Sequence, residues 1–345
     1  MPSRYSRILG CLLGTALGDA CGLRYEGLSR SRVKRLGERE IFPNLVLGKG
    51  FCSDDTEHTV MVARALAASG GDVEGFRRKL AADMRCWLLT APAGVGWATL
   101  RACLKLLCGV SPENSGVWSA GNGPAMRSAL LGVIADDDEH LQRLVRASTR
   151  MTHTDPRAEE GALLVARAAS LGAQDYRMSP VEFLRSQAME IQGDELRARI
   201  EAVIEGIASQ RSAEEFADSQ GWSRGISGYI NQTVPTALYC WAQAKDFRQS
   251  VTSAIRLGGD TDTVAAIAGA VSGANLGVEQ LPQSWIESLA EWPRDVGWLK
   301  QLAEHLDQQK NSRPPAMHWL ATVPRNCVFA TIVLGIGFRR LVLPV

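Results

Sequence analysis

Two short stretches carry the residue types of an all-oxygen ligand site. "LGGDTDTVAAIAG" at 257–269 sets Asp260 and Asp262 two positions apart, each followed by a threonine, behind a glycine pair. "CSDDTEHTVMVARALAASGG" at 52–71 repeats the pattern with Ser53, Asp54, Asp55 and Thr56. Each opens an apolar run. Ser, Asp and Thr are favoured helix caps, and acids in a first turn suit the helix dipole. A cap needs one such residue, however, and each stretch holds several. If the two stretches meet, their carboxylates repel one another and take up protons, unless divalent cations neutralise them. Neither SDDTE nor GGDTDT contains His or Cys. Hard oxygen donors of this kind suit Mg²⁺ or Mn²⁺ rather than zinc. The residues alone leave capping and metal binding both open.

The backbone must bend for these acids to converge. On a helix, positions i and i+2 point roughly 160° apart. Gly258 and Gly259 permit a turn there, with the helix expected to begin near Thr263. The small residues that follow, among them Ala265, Ala266, Gly269 and Gly273, allow a neighbouring backbone to come close. Two further stretches are candidates. "WSAGNGPAMR" at 118–127 is a glycine turn before an apolar run. Its N–H groups can cradle a phosphate, although a plain helix start explains it more simply. "THTDPRAEEGA" at 152–162 places His153 beside Asp155 and Pro156, where a capped turn with a surface histidine is the simpler expectation.

The surrounding chain reads as helix. In "ELRARIEAVIEGIAS", 195–209, Ile200, Val203, Ile204 and Ile207 keep one helical face apolar. The segments 138–149 and 157–172 behave alike, and sustained apolar–polar alternation is almost absent. The pattern predicts an all-α protein of about a dozen helices. A polar, proline-bearing linker is expected at 306–317, between a main body, 1–305, and a C-terminal piece, 318–345.

Composition sets the remaining bounds. The chain has 345 residues, 46% hydrophobic and 22% charged, with net charge +1. That suits a soluble globular protein with a large core and gives no argument for nucleic acid or an acidic membrane. The eight cysteines form no C-x-x-C pair, so reduced, buried thiols in a cytoplasmic protein are expected. "ILGCLLGTALGDACG" behind Arg4 and Arg7 could imitate a signal peptide. Its four glycines and Asp19 argue against one. "NCVFATIVLGIGF", 326–338, falls short of the roughly 20 apolar residues of a membrane span. It is expected to be a helix packed on the body or at a subunit contact, with a membrane-surface helix as the lesser alternative.

In combination these motifs resemble the ADP-ribosylglycohydrolase family of the dinitrogenase-reductase-activating type. The matching segments are "GCLLGTALGDACGLRYE" (10–26), "SDDTE" (53–57), "GNGPAMR" (121–127), "THTDPRA" (152–158), "GYINQTVPTAL" (228–238) and "LGGDTDTVAAIAGAVSGANLG" (257–277). The resemblance implies a compact all-α bundle around a central dinuclear site with two divalent cations, Mg²⁺ or Mn²⁺. It implies Ser53, Asp54, Asp55, Asp260, Asp262 and Thr263 as metal ligands. The turn Ser119–Gly123, with Gly121 and Asn122, would receive the diphosphate of ADP-ribose, and His153 would line the cleft. Tyr229 is a candidate contact for the adenosine or distal ribose. Glu26, on a first loop able to reach the metals, and Asp55 are the implied catalytic acids. The implied activity is metal-dependent hydrolysis of ADP-ribose conjugates on a protein or small molecule, with ADP-ribosyl-arginine first among substrates. A catalytically retired member that binds ADP-ribose or serves a structural role is the alternative.

Overall fold

The computed structural model describes all residues except 37–39, 174–177, 309–312 and 343–345. Part of the expected linker and the last three residues therefore lie outside the described residues. The described chain is α-helical, with only isolated β-bridges, as its periodicity requires. In order, the helices are α1 (Arg4–Gly22), α2 (Arg30–Leu36), α3 (Asp54–Ser69), α4 (Val73–Leu89), α5 (Trp97–Leu107) and α6 (Gly123–Met126). Then come α7 (Ala129–Ile134), α8 (Asp138–Arg150), α9 (Pro156–Ser170), α10 (Pro180–Glu190), α11 (Asp194–Ala208) and α12 (Ala213–Ser219). The last six are α13 (Ile230–Gln243), α14 (Phe247–Arg256), α15 (Thr261–Leu276), α16 (Gln283–Ser288), α17 (Val296–Asp307) and α18 (Trp319–Val342).

The pair α1 and α15 forms the centre. Residues Thr261–Ala274 of α15 are all buried, as is nearly all of α1. A Cβ added at Gly10, Gly14 or Gly18 would overlap the backbone of Gly273, Gly269 or Ala265 respectively, and one at Gly22 would overlap that of Thr261 and Asp262. The two helices therefore run antiparallel with their backbones in direct contact. Glycine at every fourth position of α1 lines one face of that helix. This contact explains the small residues of α15, and it carries the end of α1 to the start of α15.

Two expectations change. First, α15 begins at Thr261 rather than near Thr263. Gly258 and Gly259 adopt φ of +74° and +83°, so they complete the turn immediately before the helix. Second, the C-terminal helix is not short. α18 runs for 24 residues and is, by length and composition, long and apolar enough to cross a membrane. The run 326–338 underestimated it because Arg325, which points inward, bounds the apolar sequence on one side and Arg339 on the other, whereas α18 continues through both. Arg325 donates to Glu291 (2.7 Å) and to the Cys52 carbonyl (2.6 Å), and Asn326 donates to the Thr90 carbonyl (2.9 Å).

Candidate metal centre and substrate cleft

The close contact of α1 and α15 gathers buried acids from three elements. Asp19 of α1, Asp55 of α3 and Asp262 of α15 each offer a carboxylate oxygen, all within 4.8 Å of one another. Asp19 is the residue that reading the motifs missed. It accepts hydrogen bonds from the Ser53 N–H (2.9 Å), the Thr56 N–H (3.2 Å) and the Thr56 hydroxyl (2.5 Å). It thereby fixes the start of α3 against α1. Its signal in the sequence was a single carboxylate inside an apolar helix with a glycine stripe.

Hydroxyls orient the remaining acids. The Ser53 hydroxyl donates to Asp55 Oδ2 (3.1 Å) while accepting from the Asp55 N–H (3.3 Å). Thr263 donates to the same Asp55 oxygen (3.2 Å). Thr261, between the two acids of its motif, donates instead to the Gly22 carbonyl (2.9 Å) and locks α15 to α1. The preceding turn is held equally tightly. Gly259 exchanges backbone hydrogen bonds with Gly27 and Leu28, and Asp260 N–H donates to Ile226 O (2.8 Å). A Cβ at Gly259 would overlap Ile226, so the position needs glycine for space as well as for φ. These bonds also tie the loop carrying Glu26 to the start of α15.

The electrostatics are those of acids crowded out of water. Burial pushes the Asp55 carboxyl well above the ordinary range, with Asp19, Asp54 and Asp260 adding to the shift. Asp262 is raised by burial and then by Glu26, Asp260, Asp55 and Asp19. Asp54 is raised by burial and by Asp19 and Glu57. Asp19 is pushed up to about 6 by burial, against the hydrogen bonds from Thr56 and Ser53. Glu26 reaches solvent by surface area, yet desolvation over the cluster and the charge of Asp260 raise it too. Two oxygens, Asp55 Oδ1 and Asp262 Oδ1, are buried without a hydrogen-bond partner. Buried carboxylate oxygens are normally satisfied. Orphaned acceptors beside a third buried acid, with hydroxyls among them, fit hard divalent cations. Glu57 stands apart: it accepts from Trp87 (2.6 Å) and Arg294 (2.6 Å) and so anchors α3 from behind.

The other candidates form the adjoining wall. Asn122 donates to Asp260 Oδ2 (2.7 Å) and to the Thr233 hydroxyl (3.0 Å), and its N–H donates to Gly228 O (3.0 Å). The glycine turn is thus wired to the acids, a link that spacing could not reveal. The Ser119 hydroxyl accepts from the Gly121 N–H (3.3 Å), and Gly121 bridges to Tyr229. His153 is buried rather than a surface residue. A Cβ at Gly121 or Gly123 would press on its ring, at 3.1 and 3.2 Å. Burial and the nearby Arg127 lower its pKa to about 3, so the ring is neutral. Its Nδ1 contacts the Thr152 hydroxyl (2.8 Å), which also accepts from Arg127 (2.7 Å). Tyr229 sits at the outer end, where its hydroxyl donates to Glu195 (2.5 Å) and accepts from Arg157 (3.1 Å). Asp155 is the expected cap, accepting from the Arg157 N–H (3.0 Å).

A helical bundle with an acid cluster between helix starts, walled by a glycine turn, defines a class that comparison identifies. The family model for ADP-ribosylglycohydrolase matches residues 1–315, and the chain belongs to this family. It is 34% identical to an uncharacterised protein of Archaeoglobus fulgidus, over 86% of this chain and 94% of that one. It is 30% identical to the ADP-ribosylhydrolase ARH3 of Mus musculus, over 82% and 87%. It is 29% identical to the ADP-ribosyl-[dinitrogen reductase] glycohydrolase of Rhodospirillum rubrum, over 84% and 92%. A solved structure titled ADP-ribosylglycohydrolase-related protein complex superposes with a TM-score of 0.66 at 27% identity, covering 89% of this chain and 98% of that one.

Proposed function

We propose that this protein hydrolyses the glycosidic bond between ADP-ribose and a modified protein or small molecule, using two divalent cations, Mg²⁺ or Mn²⁺. The observation that carries the reading is the pair of orphaned buried oxygens, Asp55 Oδ1 and Asp262 Oδ1, beside Asp19. The names of the mouse and Rhodospirillum relatives support the substrate class. The second supports a protein adduct, and ADP-ribosyl-arginine is the substrate we favour.

Ser53, Asp54, Asp55, Asp260, Asp262 and Thr263 would hold the cations. When bound, the cations would supply Lewis acidity and orient ribose hydroxyls and a water at the scissile bond. The chain's own groups do the rest. Asp19 and Thr261 keep the two helix starts in register, and Asn122 holds Asp260 toward the cluster. Glu26, whose carboxyl is raised by desolvation and by Asp260, is placed beside the cluster to exchange a proton with the leaving atom. Asp55 combines ligand duty with acceptance of a proton from the attacking water. The turn Ser119–Gly123 would receive the diphosphate through N–H groups other than those of Gly121 and Asn122, which already donate to Ser119 and Gly228, with neutral His153 supporting the turn and lining the cleft. Tyr229 would meet the adenosine or the distal ribose.

The test is release of ADP-ribose from defined arginine, serine and acetyl-ester conjugates, with Mg²⁺, with Mn²⁺ and with EDTA. Metal-dependent turnover, fastest on the arginine conjugate, is expected. Binding of ADP-ribose with no turnover of any conjugate would contradict the hydrolase and leave a retired, binding protein.

A further inference from the structure

α18 leaves an apolar surface that the candidate site does not use. Of residues 319–340 only Thr322, Arg325, Asn326 and Phe329 are buried. Its outward face presents Leu320, Val323, Val328, Leu334 and Phe338, with Leu320 91% and Leu334 73% exposed. No acid occurs anywhere in 319–342. The inward face is fixed to the body. Phe329 is buried with Leu23 and Leu45, and Arg325 and Asn326 are held by Glu291, the Cys52 carbonyl and Thr90. Spanning a bilayer would drag this buried arginine and asparagine into hydrocarbon, which is costly. The helix can instead lie in the plane of an interface, with its outward face down.

Two independent features mark what covers that face. At the C-terminal end of α18 a cavity of about 400 Å³ is lined by Arg24, Arg32, Arg339 and Arg340 together with Leu47 and Ile336. No described carboxylate lines it, and none of the four arginines forms an ion pair with a described residue. Leu47, at the tip of a tight turn closed by hydrogen bonds between Val46 and Lys49, is 96% exposed with φ of +50°. A bulky residue there is strained, and its side chain projects into solvent beside the arginines. An apolar tip and an apolar helix face rimmed by cations complement an anionic lipid surface. The α18 of a second copy packed on this face would itself bring no carboxylate.

We propose that the outward face of α18, with Leu47 and the arginine-lined cavity, docks on the surface of an anionic phospholipid bilayer. This takes up the lesser of the readings drawn from the run 326–338. The docked edge adjoins the candidate site, because Arg340 donates to the carbonyls of Glu26 (3.0 Å) and Arg24.

The test is flotation of the full chain with vesicles of phosphatidylcholine alone or mixed with phosphatidylglycerol, at low and high salt. Binding to the mixed vesicles only, released by salt, is expected. The variants Arg32→Glu with Arg339→Glu, and Leu334→Glu with Phe338→Glu, should each weaken partition roughly tenfold or more. All four residues lie outside the core, and unchanged melting of the variants checks that they fold. Failure of the folded parent to float with anionic vesicles would overturn the proposal, as would variants that float like the parent. A dimer in light scattering that Leu334→Glu with Phe338→Glu converts to monomer would also overturn it, since a second copy would then cover the face.

Discussion

The starts of α3 and α15 look alike in sequence and differ in structure. At α3 the cap works: Ser53 accepts from the Asp55 N–H, and Asp19 takes two further N–H groups of that turn. At α15 Asp260 stands in the cap position with φ −81° and ψ 68°, and its side chain caps nothing. It turns to Asn122 instead. Capping therefore accounts for Ser53 and leaves Asp55, Asp260 and Asp262 without a capping role. Acids kept at a helix start, raised in pKa and partly orphaned, oppose folding of the metal-free chain. Protons or divalent cations can offset them, and the orphaned oxygens of Asp55 and Asp262 fit the proposed cations.

The largest effect should come from the contact that brings the two starts together. Gly18→Val would force a side chain into the Ala265 backbone and should cost on the order of 3 kcal/mol or more. Thermal denaturation would show it with or without metal. Native-like melting would mean that α1 and α15 are not in backbone contact. Next in size, Asp262→Asn should abolish saturable stabilisation by Mg²⁺ and the activity, yet melt higher than the parent in EDTA because a repelling buried charge is gone. A lower melting point in EDTA would mean that Asp262 is a structural group. Asn122→Ala should weaken metal affinity by roughly tenfold to a hundredfold through Asp260, read by calorimetric titration. An unchanged affinity would detach the glycine turn from the metal centre.

The pH dependence sharpens the same point. Acids raised in the folded state stabilise the metal-free protein fully below their ordinary value of about 4. That contribution is lost as pH rises through their folded values, which for Asp19 is about 6. Cations bind the deprotonated cluster, so the gain in melting temperature from Mg²⁺ should be small near pH ~5 and grow toward pH ~8. The buried, lowered histidines His58 and His153 titrate in the opposite sense. They do so with and without metal, and largely cancel in the difference. A gain that is flat across this range would contradict the raised acids. Smallest of all, Ser53→Ala should cost about 1 kcal/mol in EDTA as a lost cap, while Asp260→Asn should cost nothing of that kind. Equal losses at both would erase the distinction between the two helix starts.

Much of this was legible in the residues. The acids of SDDTE and GGDTDT mark where the cluster lies, and helical periodicity marks α8, α9 and α11 to within a residue or two. What was not legible depends on contacts between distant segments. Asp19 served only to argue against a leader peptide, because nothing local says that α1 lies against α15. The glycines of α1 and the small residues of α15 are each half of that signal, and the halves lie at opposite ends of the chain. His153 sits in a polar stretch, and its burial under the glycine turn follows from the Val117–His153 bridge. The length of α18 was hidden because Arg325 reads as a boundary, whereas its partners on the body let the helix carry it inward.

The central claim, that the two helix starts form a cation site and not merely a pair of caps, is tested most directly by anomalous diffraction from crystals soaked in Mn²⁺. The account predicts two peaks about 4 Å apart, in contact with the orphaned oxygens of Asp55 and Asp262. Crystals that diffract well, hold Mn²⁺ elsewhere and show no peak between α3 and α15 would contradict it.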